Sequence, residues 1–385
     1  MRVIFATWAW PSHLYAMVPL AWACRAAGHE VLIASEPELT GTILRTGLPA
    51  APVGRDVDAV AVFRDIVHPP EGRPGKGGGG PRVLGLLGDL AESMTGDLMK
   101  LAEGWRADLI VYEPTAFAGP LAAAAVGVPA VRHLYGADLL SGAGRFLPDV
   151  LAPMCEKLGL DGAEPFGAAT VDPCPAGLQV PTGSRRLPMR YVPYNGPGVL
   201  PPPSPRPAAR RPRVCVTWGT TYSRLDPRLF LAGDAVRAIA ALPVDVIVAV
   251  APGQRDLLGP LPPEAHVVEG APLHLLLPRC DAVIAQGGAG TILTALDSGL
   301  PQVLVPRLPD HVRHAARIAE TNAGVVLPAP GVEAAAIRDG LTAVLDDPAH
   351  RDAARALRDE MRDQPPPARV VAELAHIGVG ATAGR

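Results

Sequence analysis

The sequence has little of what marks membrane, secreted or metal-binding proteins. No stretch approaches the roughly 18 uninterrupted apolar residues of a membrane-spanning helix. The apolar start MRVIFATWAW breaks at Pro11 and His13, so it predicts a buried first strand rather than a signal peptide. The cysteines are odd in number, far apart and without a CxxC pair, which disfavours a disulfide framework or a zinc site; they are Cys24, Cys155, Cys174, Cys215 and Cys280. These absences predict a cytoplasmic protein without a membrane span.

Several charge patterns and catalytic motifs are also absent. The net charge of −3 gives no reason to expect nucleic acid or an anionic membrane as a partner. The first βα loop has no GxGxxG, which argues against a nicotinamide or flavin enzyme. The chain has neither a GxSxG elbow nor an HExxH pair. Asp56 and Asp58 resemble a metal-binding DxD, but they lie far from any phosphate motif, so we interpret them as solvated acids and predict no metal site.

What the 385 residues do contain is an alternation of short apolar runs with helical patterns. In the first half, two predicted helices end before Gly28 and Gly127, as helices that stop at a glycine do. The first-half strands are predicted at residues 3–6, 30–34, 109–112 and 129–132, with the helices at 14–27 and 117–126. The second-half strands are predicted at 213–217, 244–250, 266–268, 282–285, 302–305 and 324–327, with helices such as 228–241 and 313–321. This alternation is the pattern of βαβ units, which predicts parallel sheets covered by helices on both faces.

A proline-rich segment separates the halves and sets the predicted domain boundaries. We predict an α/β protein with two Rossmann-like, doubly wound parallel-sheet domains that face each other across a cleft. The domains span residues 1–196 and 213–364, joined by a linker at 197–212. The tail, residues 365–385, is predicted to form a closing helix that crosses back to the N-terminal domain. Residues 54–85 show no clear periodicity, and we expect them to cover the acceptor side of the cleft.

A glycine-rich loop is the most informative motif. QGGAGT, residues 286–291, lies between a strand-like run and a helical run, so its backbone N–H groups and the positive end of a helix dipole would meet at one point. PQVLVPRLPDH, residues 301–311, adds a neighbouring strand and a loop that carries Asp310 and His311. Because ligands of open α/β sheets bind at the carboxyl ends of the strands, the pair predicts a site for a phosphate attached to a polar group. An ordinary turn is the alternative for a glycine-rich loop by itself.

Six segments in register carry a resemblance to a known family. They are PSHLYAMVPLAWACRAAGHEV (11–31), DPCPAGLQ (172–179), RYVPYNGPGVLP (190–201), VCVTWGT (214–220), QGGAGT and PQVLVPRLPDH. In this order the chain resembles the bacterial nucleotide-sugar-dependent glycosyltransferases of family 1 type, which have two Rossmann domains in the GT-B arrangement. It looks closest to the actinobacterial enzymes that attach deoxysugars to polyketides. The resemblance implies a fold that works without metal.

The resemblance places a catalytic base on the first loop. His13 precedes the first predicted helix, and an imidazole can take the proton of an acceptor hydroxyl near neutral pH. Glu113, at the end of a predicted strand, is the proposed carboxylate partner of that imidazole. Glu113 could instead cap the following helix, His13 could cap its own helix, and Asp138 is the reserve carboxylate. Arg132 and His133 could equally shape the acceptor pocket.

The donor side is assigned by the same resemblance. The predicted diphosphate contacts are the backbone of residues 287–291 and the hydroxyl groups of two threonines: Gly287, Gly288, Ala289, Gly290, Thr291 and Thr220. Asp310 and His311 are assigned to the sugar hydroxyls, although family members generally have glutamine at the second position. Many relatives have histidine where this chain has Gln286, and an amide gives a weaker hydrogen bond to the leaving diphosphate than a charged group does. The nucleobase is expected against the segment that contains Ala271 and Leu273.

Together these residues predict an inverting glycosyltransferase that moves a deoxysugar from a thymidine diphosphate (TDP) sugar to a hydroxyl of a hydrophobic polyketide-type aglycone. The nucleotide sugar is a co-substrate, and no other cofactor is expected. Five aromatic residues near the acceptor side fit an apolar acceptor or a protein core equally well: Trp8, Trp10, Tyr15, Phe117 and Tyr135. A non-catalytic relative that binds the donor or assists a partner transferase, a nucleotide-sugar epimerase, and attachment through carbon are the alternatives. A homodimer is a further expectation.

Overall fold

The computed structural model describes residues 1–67, 80–202, 211–329 and 331–382. The chain divides into two compact units. The first unit comprises residues 1–174, 180–192 and 364–385, and the second unit comprises residues 175–179 and 193–363. Among the described residues, no helix is both long enough and apolar enough to cross a membrane.

The first unit is built on a parallel sheet of seven strands. In chain order the strands are β1 (Arg2–Ala6), β2 (Glu30–Ser35), β3 (Ala50–Pro52), β4 (Leu109–Tyr112), β5 (Ala130–His133), β6 (Ala169–Asp172) and β7 (Arg186–Pro188). Their order in the sheet is β3-β2-β1-β4-β5-β6-β7, and each neighbouring pair is parallel. The central strand β4 (LIVY) is fully buried, as a strand with helices on both faces must be.

Helices connect these strands and cover the sheet. They are α1 (Pro11–Ala26), α2 (Thr40–Leu44), α3 (Ala59–Val67), α4 (Gly80–Trp105), α5 (Ala118–Val126) and α6 (Leu147–Leu158), with short 3₁₀ turns at Pro37–Leu39 and Ser141–Ala143. Helix α1 begins at Pro11, where a missing N–H costs nothing. Helix α5 ends at Gly127, whose φ of +69° is the left-handed conformation that favours glycine, as the sequence predicted.

The second unit repeats the plan with six strands. They are β8 (Arg213–Thr217), β9 (Asp245–Val250), β10 (His266–Glu269), β11 (Ala282–Ala285), β12 (Gln302–Leu304) and β13 (Gly324–Val326), in the sheet order β10-β9-β8-β11-β12-β13. The helices are α7 (Thr221–Leu225), α8 (Ala232–Ile239), α9 (Leu273–Leu276), α10 (Ala289–Asp297), α11 (Pro309–Glu320), α12 (Ala334–Asp346) and α13 (Pro348–Asp363), with 3₁₀ turns at Pro227–Leu229, Arg255–Leu258 and Leu277–Arg279. All neighbouring strands are parallel, so their carboxyl ends lie along one edge of the sheet.

The last helix belongs to the first unit. Helix α14 (Pro367–Thr382) follows α13 after a proline break and packs against α1 and β7. Val370, Val371 and Leu374 on its inner side are buried. The chain therefore forms most of the first unit, then the second unit, and adds α14 to the first unit at its end.

The observed domain boundaries differ from the predicted ones in three places, one of which is Gln364, predicted in the second domain but clustered with the first unit. Residues 175–179 and 193–196, predicted in the N-terminal domain, cluster with the second unit. Arg317 of α11 binds the carbonyl oxygens of Leu178 and Gln179, which explains the placement of the first segment. Residues 203–210, the centre of the predicted linker, lie outside the described residues.

Residues 54–85, which show no clear periodicity in the sequence, are irregular at 54–58 and helical in the rest of the part that the structure describes. Helix α3 occupies Ala59–Val67, and α4 begins at Gly80. Helix α4 buries Leu87, Leu90, Ala91, Met94 and Leu98, a helical spacing that begins only after the glycine run. Residues 68–79 lie outside the described residues, and so does most of KGGGGP, which we expected in a cover over the acceptor.

Candidate active site

In the first unit, His13 and Glu113 meet at the carboxyl edge of the sheet. His13 lies in the first turn of α1, directly after β1, and Glu113 follows β4, the neighbour of β1. The Nδ1 atom of His13 lies 3.2 Å from Oε2 of Glu113, with the histidine side chain 12% exposed and the glutamate side chain buried. The two atoms are in close contact without hydrogen-bond alignment, since Nδ1 has no hydrogen-bond partner among the described residues. This contact directs the other ring nitrogen, Nε2, away from the carboxylate.

The Glu113 carboxylate is fixed by its own loop. The backbone N–H of Thr115 donates to Oε2 at 3.0 Å, and the Thr115 hydroxyl lies 2.7 Å and 2.8 Å from the two carboxylate oxygens. The indole N–H of Trp8 donates to that hydroxyl at 2.8 Å, so the loop after β1 and the loop after β4 are tied together. Glu113 therefore bonds within its own turn and does not cap α5, which has no side-chain cap, so of the two alternatives the structure shows the histidine contact.

Two aromatic rings enclose the imidazole. The Tyr135 ring stacks on His13 with a centroid distance of 4.2 Å and an angle of 20°. The Trp8 indole meets the same imidazole edge-on at 5.2 Å. Trp8, Trp10 and Phe117 are buried in the hydrophobic core, whereas Tyr15 and Tyr135 are half-buried. The first three are therefore core residues in this unit, although Trp8 also contacts the candidate base, and Tyr135 is the half-buried ring that stacks on it.

The reserve carboxylate is engaged elsewhere. Asp138 accepts from both terminal nitrogens of Arg132, at 3.2 Å and 2.6 Å, and both side chains are fully buried. The guanidinium also lies 4.3 Å from the centre of the Phe166 ring. Burial lowers the pKa of His133 to about 4, and its Nδ1 lies 2.8 Å from the Leu134 carbonyl oxygen. We assign Arg132 and His133 of β5, and Asp138 in the segment that follows it, to the structure of this strand end.

A buried carboxylate that the sequence did not reveal supports the first loop. Glu36 follows β2 and is fully buried. Its Oε2 accepts from the Ala9 N–H at 2.6 Å, and its Oε1 accepts from the Val57 N–H at 3.3 Å. Burial raises the pKa of Glu36 to about 7, and nearby Asp56 and Glu38 add to the effect, while the two backbone hydrogen bonds oppose it.

In the second unit, the glycine-rich loop forms a turn between β11 and α10. Gly287 has φ +91°, a conformation that side chains rarely adopt, and Gly288 is the residue that precedes the helix. No N-cap side chain hydrogen-bonds to the first turn of this helix, residues 289–291. Gly288, Ala289 and Gly290 are half-buried and Thr291 is 8% exposed. The turn has the chemistry of an anion site.

The side chain of Gln286 packs between this turn and the loop after β8. It is 4% exposed, and a Cβ added at Gly288 would stand 3.0 Å from its Nε2. A Cβ at Gly219 would collide with the same atom, which explains the glycine in the loop after β8. Within the described part of the chain, the Oε1 atom of Gln286 is buried without a hydrogen-bond partner.

Asp310 and His311 lie in the first turn of α11 and not in a preceding loop as predicted. Asp310 is partly exposed, with a side chain 43% accessible. The His311 ring is 5% exposed, and its Nδ1 lies 3.1 Å from the hydroxyl of Tyr222, a residue to which the sequence analysis gave no role. Burial lowers the pKa of His311, while the Asp310 charge and a hydrogen bond with the Gln286 backbone oppose the shift. The imidazole is therefore internal to this unit.

The remaining predicted donor residues lie around the same edge. Thr220 is exposed directly before α7. Ala271 lies between β10 and α9, Leu273 begins α9, and both are half-buried. Asn195, another residue without an assigned role, joins two elements, since its Nδ2 donates to the Thr294 hydroxyl at 3.0 Å and its Oδ1 accepts from the His274 N–H at 3.1 Å. Among the described residues, no group of His, Cys, Asp and Glu has the arrangement of a metal site.

Comparison with known proteins identifies the family. The profile described as "Erythromycin biosynthesis protein CIII-like, N-terminal domain" matches residues 22–72 and 82–219, and the corresponding C-terminal profile matches residues 234–377. The chain belongs to the erythromycin biosynthesis protein CIII-like family. One relative, the 10-deoxymethynolide desosaminyltransferase of Streptomyces venezuelae, is 36% identical over 98% of this chain and 97% of its own length.

Solved structures extend the CIII-like identification to the fold. The glycosyltransferase VinC in complex with dTDP is 34% identical, with a TM-score of 0.80 over 98% of this chain and 99% of its own. The spinosyn rhamnosyltransferase SpnG, complexed with spinosyn aglycone, is 33% identical, with a TM-score of 0.82 over 97% of this chain and 100% of its own. The expected fold class is confirmed: this CIII-like chain is a glycosyltransferase of the GT-B class with two Rossmann-like units.

Proposed function

We propose that this enzyme is an inverting transferase that moves a sugar of the deoxyhexose class from a TDP-sugar to a hydroxyl of a hydrophobic polyketide-type aglycone. The observation that carries the proposal is the contact between His13 and the buried, fixed carboxylate of Glu113. The desosaminyltransferase and rhamnosyltransferase names, the dTDP complex and the aglycone complex of the relatives support the choice of donor and acceptor.

The proposed reaction is a single displacement. The acceptor oxygen attacks the anomeric carbon as the bond from that carbon to the diphosphate oxygen breaks, and TDP leaves with the bonding electron pair. The acceptor proton passes to Nε2 of His13, and Glu113 stabilises the imidazolium that forms. The stacked Tyr135 ring adds a favourable contact with that cation. Attack opposite the leaving group inverts the anomeric carbon.

The donor site is proposed on the second unit. The N–H groups at the start of α10 and the hydroxyls of Thr291 and Thr220 are assigned to the diphosphate, with Gln286 beneath them. Asp310, which is partly exposed, is assigned to a sugar hydroxyl. Ala271 and Leu273 are assigned to the nucleobase. Charge on the departing TDP is then balanced by backbone dipoles fixed before the reaction begins.

Product analysis with a panel of polyketide aglycones and TDP-deoxysugars tests the function. The wild-type enzyme should form a glycoside and release TDP, with the anomeric configuration inverted as read by NMR coupling constants. His13→Ala should lower kcat by about 10²- to 10⁴-fold, the range for loss of a general base. Glu113→Gln should lower kcat by about tenfold or more with little change in the KM for the donor. His29→Gln, a change in the same unit away from the site, serves as the control.

Three results would contradict the proposal. Tight donor binding without transfer or hydrolysis would indicate a non-catalytic relative, and interconversion of free donor without acceptor would indicate an epimerase. A product with retained configuration would refute the displacement. A product linked through carbon would keep the base but change the acceptor atom.

A further inference from the structure

The hydroxyl of Tyr222 lies where three chain segments of the second unit meet. The residue is fully buried in α7. Its oxygen accepts the backbone N–H groups of Arg307 at 2.7 Å and of Leu308 at 3.1 Å. Its third neighbour is Nδ1 of His311 at 3.1 Å, and the two rings meet edge to face at 5.3 Å.

These contacts fix the proton on each ring. A phenol oxygen with two N–H donors directed at it has its own hydrogen left to donate, and Nδ1 of His311 is the remaining neighbour. The Nδ1 atom is therefore an acceptor, and the neutral imidazole carries its hydrogen on Nε2. The assignment follows from the hydrogen-bond pattern, and it agrees with the burial of the ring.

The other side of the His311 ring faces the glycine-rich turn. The ring shares a hydrogen bond with the backbone of Gln286, and a Cβ added at Gly288 would stand 3.6 Å from Nε2. A Cβ added at Gly287 would stand 3.2 Å from the His311 carbonyl oxygen. The ring and backbone of His311 therefore pack against residues 286–288.

The three segments follow three adjacent strands. Tyr222 comes after β8, the glycine turn after β11, and His311 after β12, in the sheet order β8-β11-β12. One hydroxyl and one imidazole thus connect the ends of all three strands. The connection has a defined polarity, from backbone N–H to phenol, from phenol to imidazole, and from imidazole to the backbone of Gln286.

We propose that Tyr222 and His311 are positioning residues that hold the glycine-rich turn in the form that binds the diphosphate, and that His311 does not contact the sugar. The proposal rests on the donor site proposed above. It replaces the expectation that His311 binds a sugar hydroxyl, because Nδ1 is held by the Tyr222 hydroxyl and Nε2 lies 3.8 Å from Oδ2 of Asp310, the carboxylate assigned to the sugar. A glutamine at this position could accept from Tyr222 and donate to the Gln286 backbone in the same way.

Calorimetric binding of TDP and of thymidine separates phosphate positioning from other effects. Tyr222→Phe and His311→Leu should each raise the Kd for TDP by about tenfold or more, because each leaves buried polar groups unpaired beneath the turn. The Kd for thymidine, which lacks phosphate, should change by less than about twofold. His311→Gln should bind TDP within about threefold of the wild type. In ¹⁵N NMR of the wild type, His311 should give the spectrum of the Nε2–H tautomer.

The outcomes are distinguishable. If the wild type does not bind TDP, the proposed donor site fails before the positioning role is reached. If the wild type binds TDP and both Tyr222→Phe and His311→Leu bind it equally well, the positioning role is refuted. Unchanged TDP affinity with weakened TDP-sugar affinity in His311→Leu would restore the direct sugar contact. Equal losses for TDP and thymidine would show a general loss of fold and also refute a role specific to the turn.

Discussion

Buried polar side chains show what single residues contribute to this enzyme. Glu113 was predictable, because an acidic residue at the end of a predicted strand must lie at the sheet edge where His13 also lies. Glu36 and Tyr222 were not, because their roles depend on which backbone N–H groups the fold brings to them. Nothing in a sequence pattern distinguishes such a residue from an ordinary acid or a core aromatic.

The stability of the enzyme should depend on pH through Glu36. Burial raises the pKa of this carboxyl from 4.5 to about 7, so the folded state binds the proton more tightly than the unfolded state does. The contribution of the protonated group is present at low pH and is lost as the pH rises through about 7. Relative to Glu36→Gln, the wild type should lose about 2 kcal/mol of unfolding free energy between pH 5.5 and pH 8.

Urea unfolding at the two pH values measures this difference. The amide of Glu36→Gln places an NH₂ against one of the two N–H donors, but that cost does not depend on pH. Glu103→Gln, a change at an exposed acid of α4 that does not act on the Glu36 carboxyl, should track the wild type closely at both values. If the unfolding free energy of Glu36→Gln changes between the two pH values by as much as that of the wild type, the Glu36 carboxyl has its ordinary pKa. The loop is then held by other contacts.

Among the structural elements, strand ends were predicted well and helix starts poorly. Strands β4, β8 and β11 occupy the predicted residues, because buried parallel strands are short apolar runs between turn residues. Helix α11 begins four residues before its predicted start, at Pro309, because proline is favoured at the first helical position but weak as a sequence signal by itself. That shift moved Asp310 and His311 from a loop into a helix and turned the imidazole inward.

The glycine-rich turn should accept a histidine in place of Gln286. The two glycines that face its amide, Gly219 and Gly288, have no side chain that would clash with a ring in place of the amide. A protonated imidazole would give a charged hydrogen bond to the departing diphosphate, which is about twice as strong as a neutral one. Gln286→His should therefore keep or raise kcat with the natural donor, as measured by TDP release. Gln286→Leu, which keeps the approximate size without a polar group, should lower kcat by about tenfold. A decrease of more than about a hundredfold in Gln286→His would show a role that only the amide fulfils.

At the scale of the whole chain, each unit depends on residues distant in sequence. Helix α13 closes the second unit, and α14 follows immediately but packs on α1 of the first. A closing helix could be predicted from the apolar spacing after the proline break, since Val370, Val371 and Leu374 share one side. The exchange of residues 175–179 and 193–196 into the second unit could not be predicted, because it depends on contacts such as that of Arg317 with Leu178.

Truncating Leu374 should destabilise the first unit selectively. This side chain of α14 is fully buried, and Leu→Ala changes in cores cost about 2 to 5 kcal/mol. Hydrogen exchange followed by mass spectrometry should show faster exchange in β1, β2 and β4 of Leu374→Ala, with the strands of the second unit little changed. Leu357→Ala is the matched control, because Leu357 is buried on α13 and its loss should accelerate exchange in the second unit instead. Faster exchange of β8 and β11 in Leu374→Ala, with β1 and β4 unaffected, would show that the C-terminal helix does not stabilise the unit it packs against.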